Sequence, residues 1–305
     1  MSAAPRRELE RLSLNQETVR QWSLPELADG CARAGVPGVG LWRAPVAEYG
    51  AGRAARLVRD AGLAVTSLCR GGFFTAEDPA ARAAALEDNR AAVDEAATLG
   101  TGTLVLVSGG LPRGSRDLAG ARQRIADALG ELAPYAAVRG VRLAIEPLHP
   151  MYAADRCVVS TLAQALDLAE RFPAEQVGVV VDTYHLWWDD TVAGQIERAG
   201  RGGRIASLQL ADWVTPLPEG VLLGRGQLGD GCVDLRWFRE RTDAAGYDGP
   251  IEVEIFNPGL WARDGSEVLT EVAERYVRHV LRTPADASVP ADARGDAVEP
   301  GPADG

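Results

Sequence analysis

Short apolar runs rich in β-branched residues alternate with longer stretches whose apolar positions recur every three to four residues. The strand-like runs are LERLSLN (9–15), GVGLWR (38–43), LAVTSLC (63–69), GTLVLVSGG (102–110), VRLAIEPL (141–148), VGVVVDTYH (177–185), RIASLQLAD (204–212) and PIEVEIF (250–256). Between them lie helical patterns. SLPELADGCARAG opens on Ser23 with Pro25 and Glu26 behind it, a capping box with proline in the first turn. Residues 76–100 form an alanine-rich stripe that ends at Gly100, and 117–140, 161–172 and 265–282 read as further helices. Eight alternations predict a parallel sheet with helices outside it, closed as a single-domain α/β fold, the (β/α)8 barrel; such barrels take about 250 residues. An open doubly wound sheet would carry a Gly-rich GxGxxG turn after its first strand, and none follows LERLSLN.

The pattern ends near residue 283. Residues 284–305, PADASVPADARGDAVEPGPADG, hold almost no large apolar side chain and are expected to be a disordered tail behind a barrel domain of residues 1–283. No apolar run approaches the ~20 residues that span a bilayer. The first residues, MSAAPRRELERL, lack an apolar signal core, so a cytoplasmic protein is expected. The four cysteines, Cys31, Cys69, Cys157 and Cys232, show no CxxC spacing and read as buried free thiols. A net charge of −11 makes nucleic acid a poor partner. The chain contains no lysine, which removes Schiff-base chemistry and the P-loop lysine and leaves arginine to hold carboxylate or phosphate groups.

In a barrel of this kind, active sites form at the C-terminal ends of the strands. Polar residues cluster there: Glu146 and then His149, Asp182 and then His185, Gln209 with Asp212, and Glu252 with Glu254. Parallel strands are normally apolar on both faces, so carboxylates inside them are costly unless paired or bound to a cation. Glu146, Asp182, Gln209 and Glu254 offer only oxygen ligands when Gln209 uses its amide oxygen, a set that suits Mg²⁺ or Mn²⁺. The alternative is four separate capping and salt-bridge residues. Glu252 is expected to pair with an arginine lower in the barrel. His149 and His185 are candidates for substrate contact or for simple loop bonds to backbone. Arg225, on the glycine-rich loop after the seventh strand, can grip a substrate oxygen. Trp213, Trp187, Trp188 and Trp261 follow strand ends and can wall a pocket or pack.

"AIEPLHP", "VVVDTYH", "LQLADW", "GRGQLGDGCVDL" and "GPIEVEIF", in that order, resemble the sugar phosphate isomerase/epimerase family of the xylose isomerase-like TIM barrel superfamily. The resemblance implies a divalent metal at the barrel mouth, held by Glu146, Asp182, Gln209 and Glu254, with Gln209 standing where the family usually has histidine. It implies that Glu146 and Glu254 move protons next to a carbonyl, and that His185, and more loosely Arg225, contact substrate; His149 and Trp213 stand beside them as candidates from their places after strand ends alone. The implied partner is a small sugar-like or cyclic polyol molecule, with no membrane and no nucleic acid; whether copies of the chain associate is left open. Glutamine at this position is similar to bacterial 3-dehydroshikimate dehydratases, so a dehydratase or another β-eliminating lyase stands beside the isomerase/epimerase. Resemblance to endonuclease IV is weaker, since three histidines cannot build its histidine-rich zinc site. A barrel without catalysis, serving as a binding or partner subunit, is the reading from another class.

Overall fold

The computed structural model describes residues 6–218 and 220–282; the expected tail, 284–305, lies outside the described residues. Eight parallel strands close into a barrel: β1 (Leu12–Asn15), β2 (Gly38–Trp42), β3 (Ala64–Gly72), β4 (Thr103–Val107), β5 (Arg142–Ile145), β6 (Val177–Asp182), β7 (Ile205–Leu210) and β8 (Ile251–Val253), with β8 pairing back onto β1. Seven of the eight expected runs hold one of these strands, and the third, 63–69, holds the start of β3, which continues to Gly72.

The helices lie outside. Leu24–Ala34 begins with the expected capping box between Ser23 and Glu26, and Gly35 closes it in the left-handed conformation. Pro79–Leu99 and Leu118–Val138 are the two long helices, followed by Leu162–Ala169 and Gly265–Tyr276. Among the described residues there are also helices that the sequence pattern did not reveal: Arg43–Tyr49, Ala51–Asp60, Val192–Arg201 and Leu235–Ala244. No helix among the described residues is long and apolar enough to cross a membrane. The cysteines are free as expected, but Cys232 is exposed, because it lies on a surface loop before Leu235–Ala244.

Alternation along the strands divides the core in two. Leu104 and Leu106 of β4, Leu143 and Ile145 of β5, and Val179 and Val181 of β6 face the helices. The intervening Val105, Ala144 and Val180 form a small cluster with Cys69 inside the barrel. The same period of two carries Glu146, Asp182, Gln209, Glu252, Glu254 and Asn15 to the inner face. Register then levels them: Ser13 pairs with Glu252, Glu252 with Gln209, and Gln209 with Asp182.

Candidate active site

Glu252 forms the floor of the site. Its carboxylate accepts hydrogen bonds from Asn15 Nδ2 at 2.7 Å, Ser67 Oγ at 2.7 Å, Thr66 Oγ1 at 3.0 Å and Gln209 Nε2 at 3.1 Å. The arginine partner expected for it is replaced by these neutral donors, which fit because the inner faces of β1 and β3 carry hydroxyls and an amide. Gly40 on β2 makes the space: a Cβ there would meet Glu252 Oε1 at 2.4 Å.

Above the floor, Glu146, Asp182 and His185 each bring a ligand atom within 4.8 Å of one another. Glu254 faces the same cavity, with its carboxylate bonded by Asn15 Nδ2 at 3.0 Å and Arg225 Nη1 at 2.9 Å. Arg225 is therefore an internal cation, also 3.8 Å from Asp182 and stacked over Phe256 with its Cζ 4.6 Å from the ring centre.

A loop clamp delivers Arg225. Asp212 follows β7 and is fully buried; its carboxylate accepts backbone N–H bonds from Trp213, Gly229, Gly231 and Val233 at 2.8–3.0 Å. The ribbon pairing of Asp212–Trp213 with Arg225–Gly226 ties both ends of the loop to the barrel mouth. Gly231 is required there, since a Cβ would stand 2.2 Å from the Trp213 carbonyl oxygen.

Burial sets the protonation states. It pushes Glu254 up to about 8 against the opposing pull of Arg225, with Asp182 and Glu252 adding to the rise. Burial also raises Glu146 well above the carboxylate range, helped by Glu254 and Asp182. Asp182 is raised by burial too, against Arg225 and the backbone N–H bonds it accepts. Burial works against the Arg225 charge, but Glu254, Asp182 and Glu146 outweigh it and hold the guanidinium above the usual range. His185 is kept neutral by burial and by Arg225. The backbone N–H of His149 donates to His185 Nδ1 at 3.2 Å, which places the ring proton on Nε2, 3.7 Å from Glu146 Oε1.

Among the expected ligands, Asp182 Oδ2 and Gln209 Oε1 are buried and make no hydrogen bond. They belong to neighbouring residues of paired strands on the inner face. Orphaned acceptors beside Glu146 and Glu254, with Arg225 balancing only part of three carboxylates, are the surroundings that a divalent cation satisfies. The oxygens of Glu146, Asp182, Gln209 and Glu254 are hard donors suited to a divalent cation, and the His185 ring is a nitrogen within reach of the same place.

Of the other expected substrate contacts, His185 and Arg225 line the cavity. His149 and Trp213 instead stack on each other with ring centres 4.8 Å apart, packed against Trp188, Tyr184 and Trp187. Neither lines the cavity; the rings against His185 are those of Tyr152 and Tyr184. Residues the sequence reading missed complete the wall: Trp42, Cys69, Arg70, Tyr152, Arg156 and Phe256. The cavity measures about 120 Å³. Asn15, Trp42 and Arg70 each stand at a strand end, the one signal that could have flagged them.

Residues 28–272 match the family model for the xylose isomerase-like TIM barrel. A 3-dehydroshikimate dehydratase of Pseudomonas aeruginosa is 31% identical over 275 residues, which is 85% of this chain and 41% of that protein. An inosose isomerase of Halalkalibacterium halodurans is 26% identical over 157 residues, covering 50% of this chain and 53% of that one. The chain thus spans about half or less of the length of these relatives. A crystal structure of a protein from Sinorhizobium meliloti 1021 is 47% identical and superposes with a TM-score of 0.86 over 89% of this chain and 99% of the other.

Proposed function

Because the chain belongs to the xylose isomerase-like TIM barrel family, we propose that it isomerises or epimerises a sugar-like keto-polyol by moving a proton next to a carbonyl. The observation that carries this reading is the pair Glu146 and Glu254, two buried carboxyls with raised pKa facing one small cavity. A group whose pKa lies near working pH is suited to take and return a proton. Arg225 stabilises the anionic form of Glu254, which makes Glu254 the base and Glu146 the acid on the other side of the substrate. The Nε2–H of His185 and the guanidinium of Arg225 stand where they can hold substrate oxygens as charge moves onto them. A divalent cation, Mn²⁺ or Mg²⁺, held by Glu146, Asp182, Gln209 and Glu254 would supply Lewis acidity at the adjacent carbonyl and hydroxyl oxygens. The chain has no lysine to perform the equivalent task through an imine.

A second reading shares the first step. After Glu254 removes the α-proton, Glu146 protonates a hydroxyl on the next carbon, which leaves as water. Gln209 and the 31% identity to a protein named as a 3-dehydroshikimate dehydratase favour this elimination; the identity to an inosose isomerase favours the proton shift. A non-catalytic barrel would have no use for buried carboxyls so costly to maintain.

Incubating cyclic and linear keto-polyols with the protein in D₂O tests the proposal. Deuterium at the α-carbon of recovered or epimerised substrate supports the proton shift, and a new conjugated enone absorbance supports elimination. Activity is expected to vanish with chelator and return with Mn²⁺ or Mg²⁺. Glu146→Gln and Glu254→Gln should each lower turnover by about 10²–10⁴-fold. Full activity in either variant would show that the proton-moving groups lie elsewhere.

A further inference from the structure

Two of the three arginines that line the cavity form no ion pair with its carboxylates among the described residues. Arg225 is committed to Glu254. Arg70, two residues before the end of β3, and Arg156, between β5 and the helix Leu162–Ala169, line the same cavity. Among the described residues, the partner of the Arg70 guanidinium is the ring of Phe73, 4.2 Å below it. Among the described residues the ion-pair partner of Arg156 is its chain neighbour Asp155, at 3.8 Å. The contrast is with Arg43, which is bonded to both Glu95 and Asp88. Burial holds Arg70 below the ordinary arginine range, and the like charge of Arg156 pushes the same way. Beside them Tyr152, 6% exposed, lines the cavity with its hydroxyl next to that of Tyr184, which itself donates to the Val221 carbonyl.

The backbone is built to hold this arrangement. Phe73 sits at φ 60°, in the left-handed region that a bulky residue avoids. Asn89, buried on the helix Pro79–Leu99, fixes the turn by accepting from the Gly72 N–H at 2.6 Å and donating to the Gly72 carbonyl at 2.8 Å. Strain of this kind persists only where the surroundings enforce it, and here it sets the ring that Arg70 rests on.

We propose that Arg70 and Arg156, with the Tyr152 hydroxyl, form a subsite for an anionic group, a carboxylate or a phosphate, carried by the substrate. That the group belongs to the substrate whose reacting carbon meets Glu146 and Glu254 rests on the function proposed above. A planar guanidinium binds either oxyanion through paired N–H donors, and such bonds are shorter and stronger than neutral ones. The protein as a whole carries −11 and repels anions at long range, so a local pair of cations is what an acidic substrate requires.

Calorimetric titration of the full chain with three probes tests this: myo-inositol, which is neutral, shikimate, which carries a carboxylate, and myo-inositol 1-phosphate. At least one acidic probe is expected to bind about tenfold or more tightly than myo-inositol, with a preference that shrinks as salt rises. Which of the two binds better decides between carboxylate and phosphate. Arg70→Gln and Arg156→Gln should each remove most of that preference, weakening the acidic probe far more than myo-inositol. Equal affinity for all three probes, no binding of either acidic probe, or an undiminished preference in both variants overturns the subsite. If a variant does not fold, the salt dependence of the unaltered protein still decides, because a preference insensitive to salt also overturns it. Exchange in D₂O on neutral keto-polyols alone would defeat this subsite and spare the proposed reaction; tight acidic-probe binding with no exchange on any substrate would do the reverse.

Discussion

Gln209 shows what one side chain decides here. Its amide N–H donates to Glu252, which turns Oε1 away from the floor and leaves it with no partner. A histidine at this place could not bond Glu252 and present an oxygen. Gln209→Leu should therefore lower divalent-metal content measured by elemental analysis, and destabilise the fold by about 1–3 kcal/mol as Glu252 loses a donor. The carboxylates also set a pH dependence. Glu254, Glu146 and Asp182 have folded pKa values above their unfolded ones, so their contribution is full below about 4 and is lost as pH rises through the folded values, near 8 for Glu254. His185 is depressed and acts oppositely, but its contribution is complete above its unfolded value of about 6.5. Between pH 6.5 and 8 the carboxylates act alone. Metal-stripped protein should melt at progressively lower temperature across that window, and added Mn²⁺ or Mg²⁺ should raise the melting point most at pH 8. A melting point that climbs from pH 6.5 to 8 without metal would contradict this. Glu146, Asp182, Gln209 and Glu254 were legible in the sequence because a polar residue inside an apolar parallel strand is conspicuous. Arg70 and Arg156 were not: the third apolar run reads as ending at Cys69, one residue short of Arg70, and Arg156 is a lone loop arginine, unexceptional until the fold sets the two beside one cavity.

At the level of elements, the loop after β7 carries the chemistry to its place. Asp212 read as one more polar strand end, yet its four backbone bonds make it the anchor of the loop that inserts Arg225. Asp212→Asn replaces one carboxylate oxygen with a donor that faces N–H groups. The barrel should still fold, since its strands are untouched, while KM rises as Arg225 loses its fixed position. Steady-state kinetics beside a circular dichroism spectrum would check this; an unchanged KM would mean that the ribbon alone holds the loop. Strands were legible as elements because β-branched apolar runs have few other uses. Helices divided by their signals. Leu24–Ala34 has a capping box and a terminal glycine. Ala51–Asp60 buries only Ala54 and Val58 and is bounded by Gly50, so its apolar stripe is too thin to read. Val192–Arg201 is similar, with three buried residues on a polar helix.

For the whole molecule, closure of the barrel is the event that assembles the site, because Asn15 from β1 bonds Glu252 and Glu254 across the seam with β8. Among the described residues the last helical segment is Val277–Leu281, where Arg239 bonds the Val280 and Leu281 carbonyls, and Arg282 reaches Glu8 near the other end of the chain. Residues 284–305 contain five acidic residues and one arginine, a net −4, so a chain ending at Thr283 keeps −7 of the −11. With almost no large apolar side chain, the removed segment has little hydrophobic stabilisation to contribute. Truncation after Thr283 should leave the melting temperature within about 2 °C of the full chain, since a shift of about 2–4 °C corresponds to roughly 1 kcal/mol at 150–250 residues and larger chains shift less. Metal content and activity should be unchanged. A fall of many degrees would mean that residues beyond 283 cover apolar surface of the barrel or of a second copy, and comparing the two chains by sedimentation would tell which, because only the second case lowers the mass of the assembly by more than the tail itself.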